Sequence, residues 1–325
     1  MRRVFFTLLA CAMLTPVAAQ DPDVPKAFDL LLAGEYDAAL ELVRPLAEAG
    51  DAEAQHLLGY LYENGLGVEE DLQHAVDLYV ASGSAGQPDA QFALGELART
   101  GAGVRQSAET AAGWYRLAAR QGHARAKLRL GVMHLEGNGV EEDKALGVKY
   151  FMEAAEDGEP EAQRNLAIAY LSGDGVAGND RKAAEWFAKS ADGGDALAAY
   201  NLSLMLQSGR LGPPDLNAAA ARMYQAAEKG FAPAMTGLGL LLHGGAKLDD
   251  EAGAGHPADW FERAAEAGDP QGRFLYAVAL TQGDGREEDP ESAKLLVDDL
   301  IADPAVDPAI KRDAEKLRKE LARNN

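Results

Sequence analysis

The stretch DAEAQHLLGYLYENGLGVEEDLQHAVDLYVASGSAG, residues 51–86, decides the fold. Within it Ala54, Leu58, Leu61 and Tyr62 fall at helical spacing and form one apolar stripe. Asn64-Gly65-Leu66-Gly67 ends that helix, because glycine enters left-handed backbone at little cost and is costly inside a helix. Val68 is the apolar residue expected to tuck the loop against the hairpin. Asp71 opens a second helix, which carries Ala75, Leu78 and Tyr79 and stops before Gly86. The stretch therefore reads as one helical hairpin of 36 residues.

The hairpin recurs along the chain. Gly50, Gly86, Gly122, Gly158, Gly194 and Gly230 stand 36 residues apart, and Gly268 follows after 38. Leu58, Leu94, Leu130, Leu166, Leu202 and Leu238 keep the same step. A strict period of this length marks a solenoid, in which each unit packs on its neighbours alone. The helix starts agree: stepping from Asp71 lands on Ser107, Asp143, Asn179 and Asp215, all residues whose side chains accept a backbone N–H at a helix start. Asp289-Pro290 offers the last such cap, followed by a proline suited to the first helical position. The acidic runs Glu69-Glu70-Asp71, Glu141-Glu142-Asp143 and Glu287-Glu288-Asp289 lack the alternating ligands and central glycine of a calcium loop. They are read as carboxylates favoured by the helix macrodipole.

The series Ala54-Gln55-x-x-Leu58-Gly59-x-x-Tyr62-x-x-Gly65-x-Gly67-Val68-x-x-Asp71, then Leu78-Tyr79, resembles the Sel1-like repeat, a relative of the tetratricopeptide repeat. Trp114-Tyr115-x-x-Ala118-Ala119-x-x-Gly122 is similar to the second half of that repeat, as is Trp186-Phe187 with Ala191. The resemblance spans residues 51–303, about seven repeats of 36–38 residues. It implies an all-α fold, a right-handed α/α solenoid of Sel1- and tetratricopeptide-like helix hairpins, and a role as adaptor or scaffold. Pro213-Pro214 replaces the usual loop in the fifth unit, and Gly244-Gly245 precedes a longer polar connection, Lys247 to His256, in the sixth. The seventh has Phe274 and Tyr276-Ala277 where leucine-glycine is expected. Relatives stapled by paired cysteines have been linked to penicillin binding, but that inference does not transfer to a chain whose single cysteine is Cys11.

The flanks read differently. Residues 1–19 have the form of a secretory signal: Arg2 and Arg3, an apolar run from Val4 to Leu14, and Val17-Ala18-Ala19 as the cleavage site. Export with cleavage before Gln20 is expected, and a periplasmic location follows, with secretion as the other outcome. Leu8-Leu9-Ala10-Cys11 resembles a lipobox, but the apolar run continues past Cys11, which disfavours lipidation there. Residues 20–25 are a linker. Residues 26–50, with Gly34-x-Tyr36-x-x-Ala39, resemble a tetratricopeptide hairpin, and Pro45 is expected to bend or restart its second helix. In residues 304–325, Ile310, Ala314, Leu317 and Leu321 line one face among Lys311, Arg312, Lys316, Arg318, Lys319 and Arg323, as expected of a polar-backed capping helix.

A formal charge of −21 repels nucleic acid and anionic lipid, and steers towards a partner with basic patches. The histidines show no metal-type pairing, and neither G-x-S-x-G nor a P-loop occurs. No enzyme activity, cofactor, metal or further membrane segment is expected. In related arrays the first helices line the inner curve, which here gives the column His56, Phe92, Leu128, Arg164, Tyr200 and Thr236. One turn later stand Tyr60, Glu96, Val132, Ile168, Leu204 and Leu240. The expectation is a concave groove for an extended or helical peptide of another envelope protein, anchored on Phe92, Arg164 and Tyr200 with Ile168 and Leu204 beside them. The competing account is that the first column merely packs between neighbouring helices. A secreted effector remains the alternative role. A peptidoglycan or polysaccharide binder, with Phe92, Tyr200 and Phe274 as aromatic platforms, is a third.

Overall fold

A computed structural model describes residues 23–248 and 255–324. The signal-like segment with Cys11, the start of the linker and most of the sixth-unit insertion lie outside the described residues. The chain forms two compact units that divide between Gln121 and Gly122. Among the described residues every regular element is a helix.

The first unit holds α1 (Asp23–Leu32), α2 (Tyr36–Glu48), α3 (Ala52–Glu63), α4 (Leu72–Ser84), α5 (Pro88–Thr100) and α6 (Ala108–Arg120). The second unit holds first helices α7 (Ala124–Glu136), α9 (Pro160–Ser172), α11 (Ala196–Gln207), α13 (Ala232–His243) and α15 (Pro270–Gln282). Their partners are α8 (Lys144–Glu156), α10 (Asp180–Asp192), α12 (Leu216–Glu228), α14 (Pro257–Glu266) and α16 (Pro290–Ala302), and α17 (Pro308–Asn324) follows. Within each unit every helix packs on the next in chain order, so each unit is an α/α solenoid.

The hairpin is set by local chemistry. Asp71, Ser107, Asp143, Asn179, Asp215 and Asp289 each accept the N–H three residues on, at 2.9–3.1 Å. The N–H of each of these caps donates in turn to a carbonyl near the end of its first helix, as from Asp143 to His134 and from Asp215 to Leu206. The Pro213-Pro214 loop thus closes in the same way as its siblings. Gly173 (φ 78°) ends α9 in left-handed backbone, and Gly175 (φ 71°) sits where a Cβ would strike the backbone of Lys144. In α2, Pro45 does not restart the helix: Tyr36–Glu48 is one element running through it.

On α3, α5, α7 and α13 a glycine of the first helix receives a large side chain from its own second helix. A Cβ on Gly131 would come within 2.5 Å of the Phe151 ring, and one on Gly239 within 2.5 Å of Phe261. Tyr79 packs over Gly59 and Tyr115 over Gly95 in the same way. This close approach lets aromatic side chains fill the space between helices without voids. In the second unit the core runs as one cluster from Leu128 to Ala264, and a further cluster seats Ala314, Leu317 and Leu321 of α17 on Val297 and Leu300 of α16.

Candidate interaction face

The two columns on the first helices differ in burial. In the first column Phe92 is 8% exposed and Leu128 only 2%. Phe92 lies 5.8 Å from the Tyr115 ring, tilted against it, and Leu128 belongs to the continuous core of the second unit. His56 is half-buried beside Tyr79, with ring centroids 5.7 Å apart. Thr236 is buried and donates its hydroxyl to Asp269 at 2.6 Å. Arg164 is mostly covered, with its guanidinium 3.5 Å from Asp195 and 3.6 Å from Glu161. Its buried Nε has no hydrogen-bond partner among the described residues. Phe274 is half-buried against the C-terminal cluster. Phe92 and Leu128 are therefore packing residues, and neither offers a ring or methyl surface to a ligand.

Tyr200 is intermediate. It meets Phe231 edge-on at 5.2 Å and still lines an open trough.

The second column faces solvent in the second unit. Ile168, Leu204 and Leu240 are 43%, 41% and 46% exposed, on three consecutive first helices. Two troughs accompany them. The smaller, about 240 Å³, lies between α7 and α9 and is lined by Val132, Leu135, Phe151, Asn165 and Ile168. The larger, about 410 Å³, is lined by Tyr200 and Leu204 of α11, Thr236 and Leu240 of α13, and Asp269 and Gln271 beside α15. A row of branched aliphatic side chains repeated in register, each held in water by its own helix, is a surface released from packing.

Several charges around this row are paired within the protein. Asp174, on the rim of the smaller trough, bonds Lys144 at 3.0 Å, and that bond holds its carboxyl below the ordinary value. Asp269 accepts from Thr236 and from the Gly272 N–H at 2.7 Å. Glu161 and Asp195 share Arg164. Among the described residues no group of three or more His, Cys, Asp or Glu side chains could hold a metal ion. No described helix is long and apolar enough to cross a membrane. The troughs combine apolar contact with carboxylates, Glu136 and Asp174 at the smaller and Asp269 at the larger.

Of the sequence-predicted set, Ile168, Tyr200 and Leu204 line the two troughs, while Phe92 and Leu128 are buried. Sequence reasoning passed over Asn165, Asn201 and Gln271. The available signal was the 36-residue step between the two asparagines, next to the aliphatic column.

Comparison with known proteins fits this architecture. The Sel1 repeat family model matches residues 52–86, 88–123, 124–159, 160–195, 196–231 and 258–269. A Sel1 repeat protein from Oxalobacter formigenes is 29% identical, with a TM-score of 0.66 over 75% of this chain and 99% of that one. The protein c5321, a protective antigen present in uropathogenic Escherichia coli strains and displaying an SLR fold, is 21% identical. Its TM-score is 0.57, over 93% of this chain and 80% of that one, a likeness of fold alone. No curated protein sequence matches the chain.

Proposed function

The chain belongs to the Sel1 repeat family, and on that premise we propose that it is an exported scaffold of the bacterial envelope which holds a peptide segment of another protein. The observation that carries this reading is the exposed row Ile168, Leu204 and Leu240, flanked by two troughs and backed by a rigid core. Sel1 repeats are a non-catalytic scaffold that generally mediates protein–protein interaction, so binding is the activity to look for. Export rests on the paired arginines, apolar run and small-residue site of residues 1–19. The net charge of −21 adds long-range attraction for a basic partner, which speeds encounter more than it tightens the complex.

Affinity purification of the tagged full-length chain from its own envelope fraction tests the reading. The expected result is a stoichiometric protein partner, lost from the Ile168→Asp/Leu204→Asp double variant while the thermal midpoint of that variant stays within a few degrees. A partner retained by that variant refutes the proposed face. Recovery of unprocessed chain from the cytoplasmic fraction alone refutes export.

A further inference from the structure

The last helix of the second unit and the first hairpin of the first unit are closed off differently. A solenoid end needs a polar outer face, because no further repeat covers it. α17 provides one: Ala314, Leu317 and Leu321 are seated on α16, and the residues turned away from it are mostly charged. Six cations stand on α17 against three carboxylates, in a chain with a net charge of −21. Lys316 is paired with Asp313 at 2.7 Å, and Arg318 lies 3.5 Å from Asp298. Lys311, Lys319 and Arg323 make no ion pair to another described residue, and Lys319 and Arg323 are exposed. The first hairpin lacks such a cover. α1 buries Val24 and Ala27 but leaves Phe28 and Leu32, one turn apart, 51% and 69% exposed. From Asp23 to Glu48 this hairpin carries six carboxylates against two cations. Asp29, Glu35, Asp37 and Glu41 are exposed and make no ion pair to another described residue. Two hollows open along α2. One, about 310 Å³, is lined by Glu35, Tyr36 and Asp37, and the other, about 370 Å³, by Asp37, Leu40, Glu41, Arg44 and Pro45.

We propose that copies of this chain associate head to tail, the cations of α17 in one copy entering the acid-lined hollows on α2 of the next. Asp37 and Glu41 stand four residues apart, as Lys319 and Arg323 do, and that spacing on a helix is about 6 Å. Two packed helices can therefore match both pairs at once. The aliphatic stems of lysine and arginine cover apolar surface while their heads stay at the carboxylates, which suits Phe28 and Leu32 of the same hairpin. A two-fold contact of α1 on α1 also covers these two residues, but it brings two acidic hairpins together. Long-range repulsion between copies of charge −21 is screened beyond about 8 Å at physiological ionic strength, so the charges in contact decide. With processing before Gln20, only Gln20, Asp21 and Pro22 precede α1, too few to cover its apolar side. A contact between unlike surfaces leaves a free end on each copy, so the assembly grows with concentration unless rotation closes it.

Sedimentation velocity of the purified chain, from micromolar to near-millimolar concentration, is the test. The expected mass rises with concentration beyond that of a dimer. Asp37→Asn/Glu41→Gln blocks one end and Lys319→Glu/Arg323→Glu the other, so each variant alone loses self-association while its thermal midpoint is unchanged. Mixed, the two form a one-to-one dimer and nothing larger, because each retains the end that the other lacks. A chain that combines Asp37→Lys/Glu41→Lys with Lys319→Glu/Arg323→Glu regains self-association, since both charge pairs are reversed together. A wild-type chain that stays monomeric throughout overturns the proposal. A dimer that survives Lys319→Glu/Arg323→Glu overturns it too, and is the two-fold contact through α1. So does a mixture of the two blocked variants that remains monomeric.

Discussion

The first helices of the two units present different chemistry from the same register, and the difference begins in the core. In the first unit the side chains that plug the hairpins are tyrosines. Tyr115 donates its hydroxyl to Glu96 at 2.6 Å, and Tyr79 donates to Glu63 at 2.6 Å. Burial first, and then the bond to Glu63, raises the Tyr79 hydroxyl far above the ordinary value, so it remains a donor. In the second unit the corresponding plugs are Phe151, Phe187, Met223 and Phe261, none of which carries a hydroxyl. The position of Glu96 is held by Tyr60 in the preceding repeat, and by Val132, Ile168, Leu204 and Leu240 in turn in the second unit. A buried hydroxyl requires an acceptor, and the half-buried carboxylates of Glu63 and Glu96 on the adjoining first helices serve as such. Where the hydroxyl is absent that requirement lapses and the surface is free to be apolar.

Breaking the comparison at its base means removing a plug or a packed neighbour. Leu128→Ala should cost about 2–5 kcal/mol in urea unfolding, because Leu128 is buried and leaves a cavity. Leu204→Ala, one turn further along its helix and exposed, should cost under about 1 kcal/mol. Equal losses would mean that the second column is also packing, and the interaction face would go with it.

The coupling of core and surface can be broken and then restored. Glu96→Leu gives the first unit the surface residue of the second and strands the Tyr115 hydroxyl, at a cost of about 1–3 kcal/mol. Adding Tyr115→Phe should recover most of that loss, since both partners are then apolar. No recovery in the double variant would separate the two positions and undo the explanation for the unequal faces.

The smallest effect concerns a hydroxyl on a first helix of the second unit, with its acceptor on the preceding helix α14. Tyr276 carries the hydroxyl, and it finds Glu262 at 2.6 Å, with Arg286 bonding the same carboxylate at 2.9 Å. The bond from Tyr276 holds the Glu262 carboxyl below the ordinary value of 4.5, against the opposing effect of burial and with help from Arg286. A carboxyl depressed in the folded state contributes stability above its unfolded pKa, and the contribution is lost as pH falls through the folded value. Acidification below pH 4.5 should therefore destabilise the wild-type chain more than Glu262→Gln, by less than about 1 kcal/mol given the exposure of the pair. Thermal melts of the two proteins from pH 6 to pH 3 check the sign.

Much of the fold was legible because it is built from local signals. The caps at Asp71, Ser107, Asp143, Asn179, Asp215 and Asp289 act within three residues, and glycine stops act within one turn. Pro45 was expected to bend or restart α2, and the restart does not occur, since Tyr36–Glu48 is one helix. Of the residues chosen for the proposed face, the structure exposes Ile168 and Leu204 and buries Phe92 and Leu128. Leu128 and Val132, four residues apart on one helix, differ in direction by only about 40°. Periodicity assigns both to the same side, so the sequence alone favoured Phe92 as an anchor and undervalued Leu240.

By itself the sequence determined the repeat, its hairpins, their caps and stops, and the side of the first helices that looks away from their partners. These follow from backbone preferences and a 36-residue recurrence, which every unit expresses independently of the others. Tertiary structure alone decided which of two adjacent columns reaches water. That choice depends on where the neighbouring helix crosses, and it buried Phe92 and Leu128 while leaving Ile168, Leu204 and Leu240 in solvent.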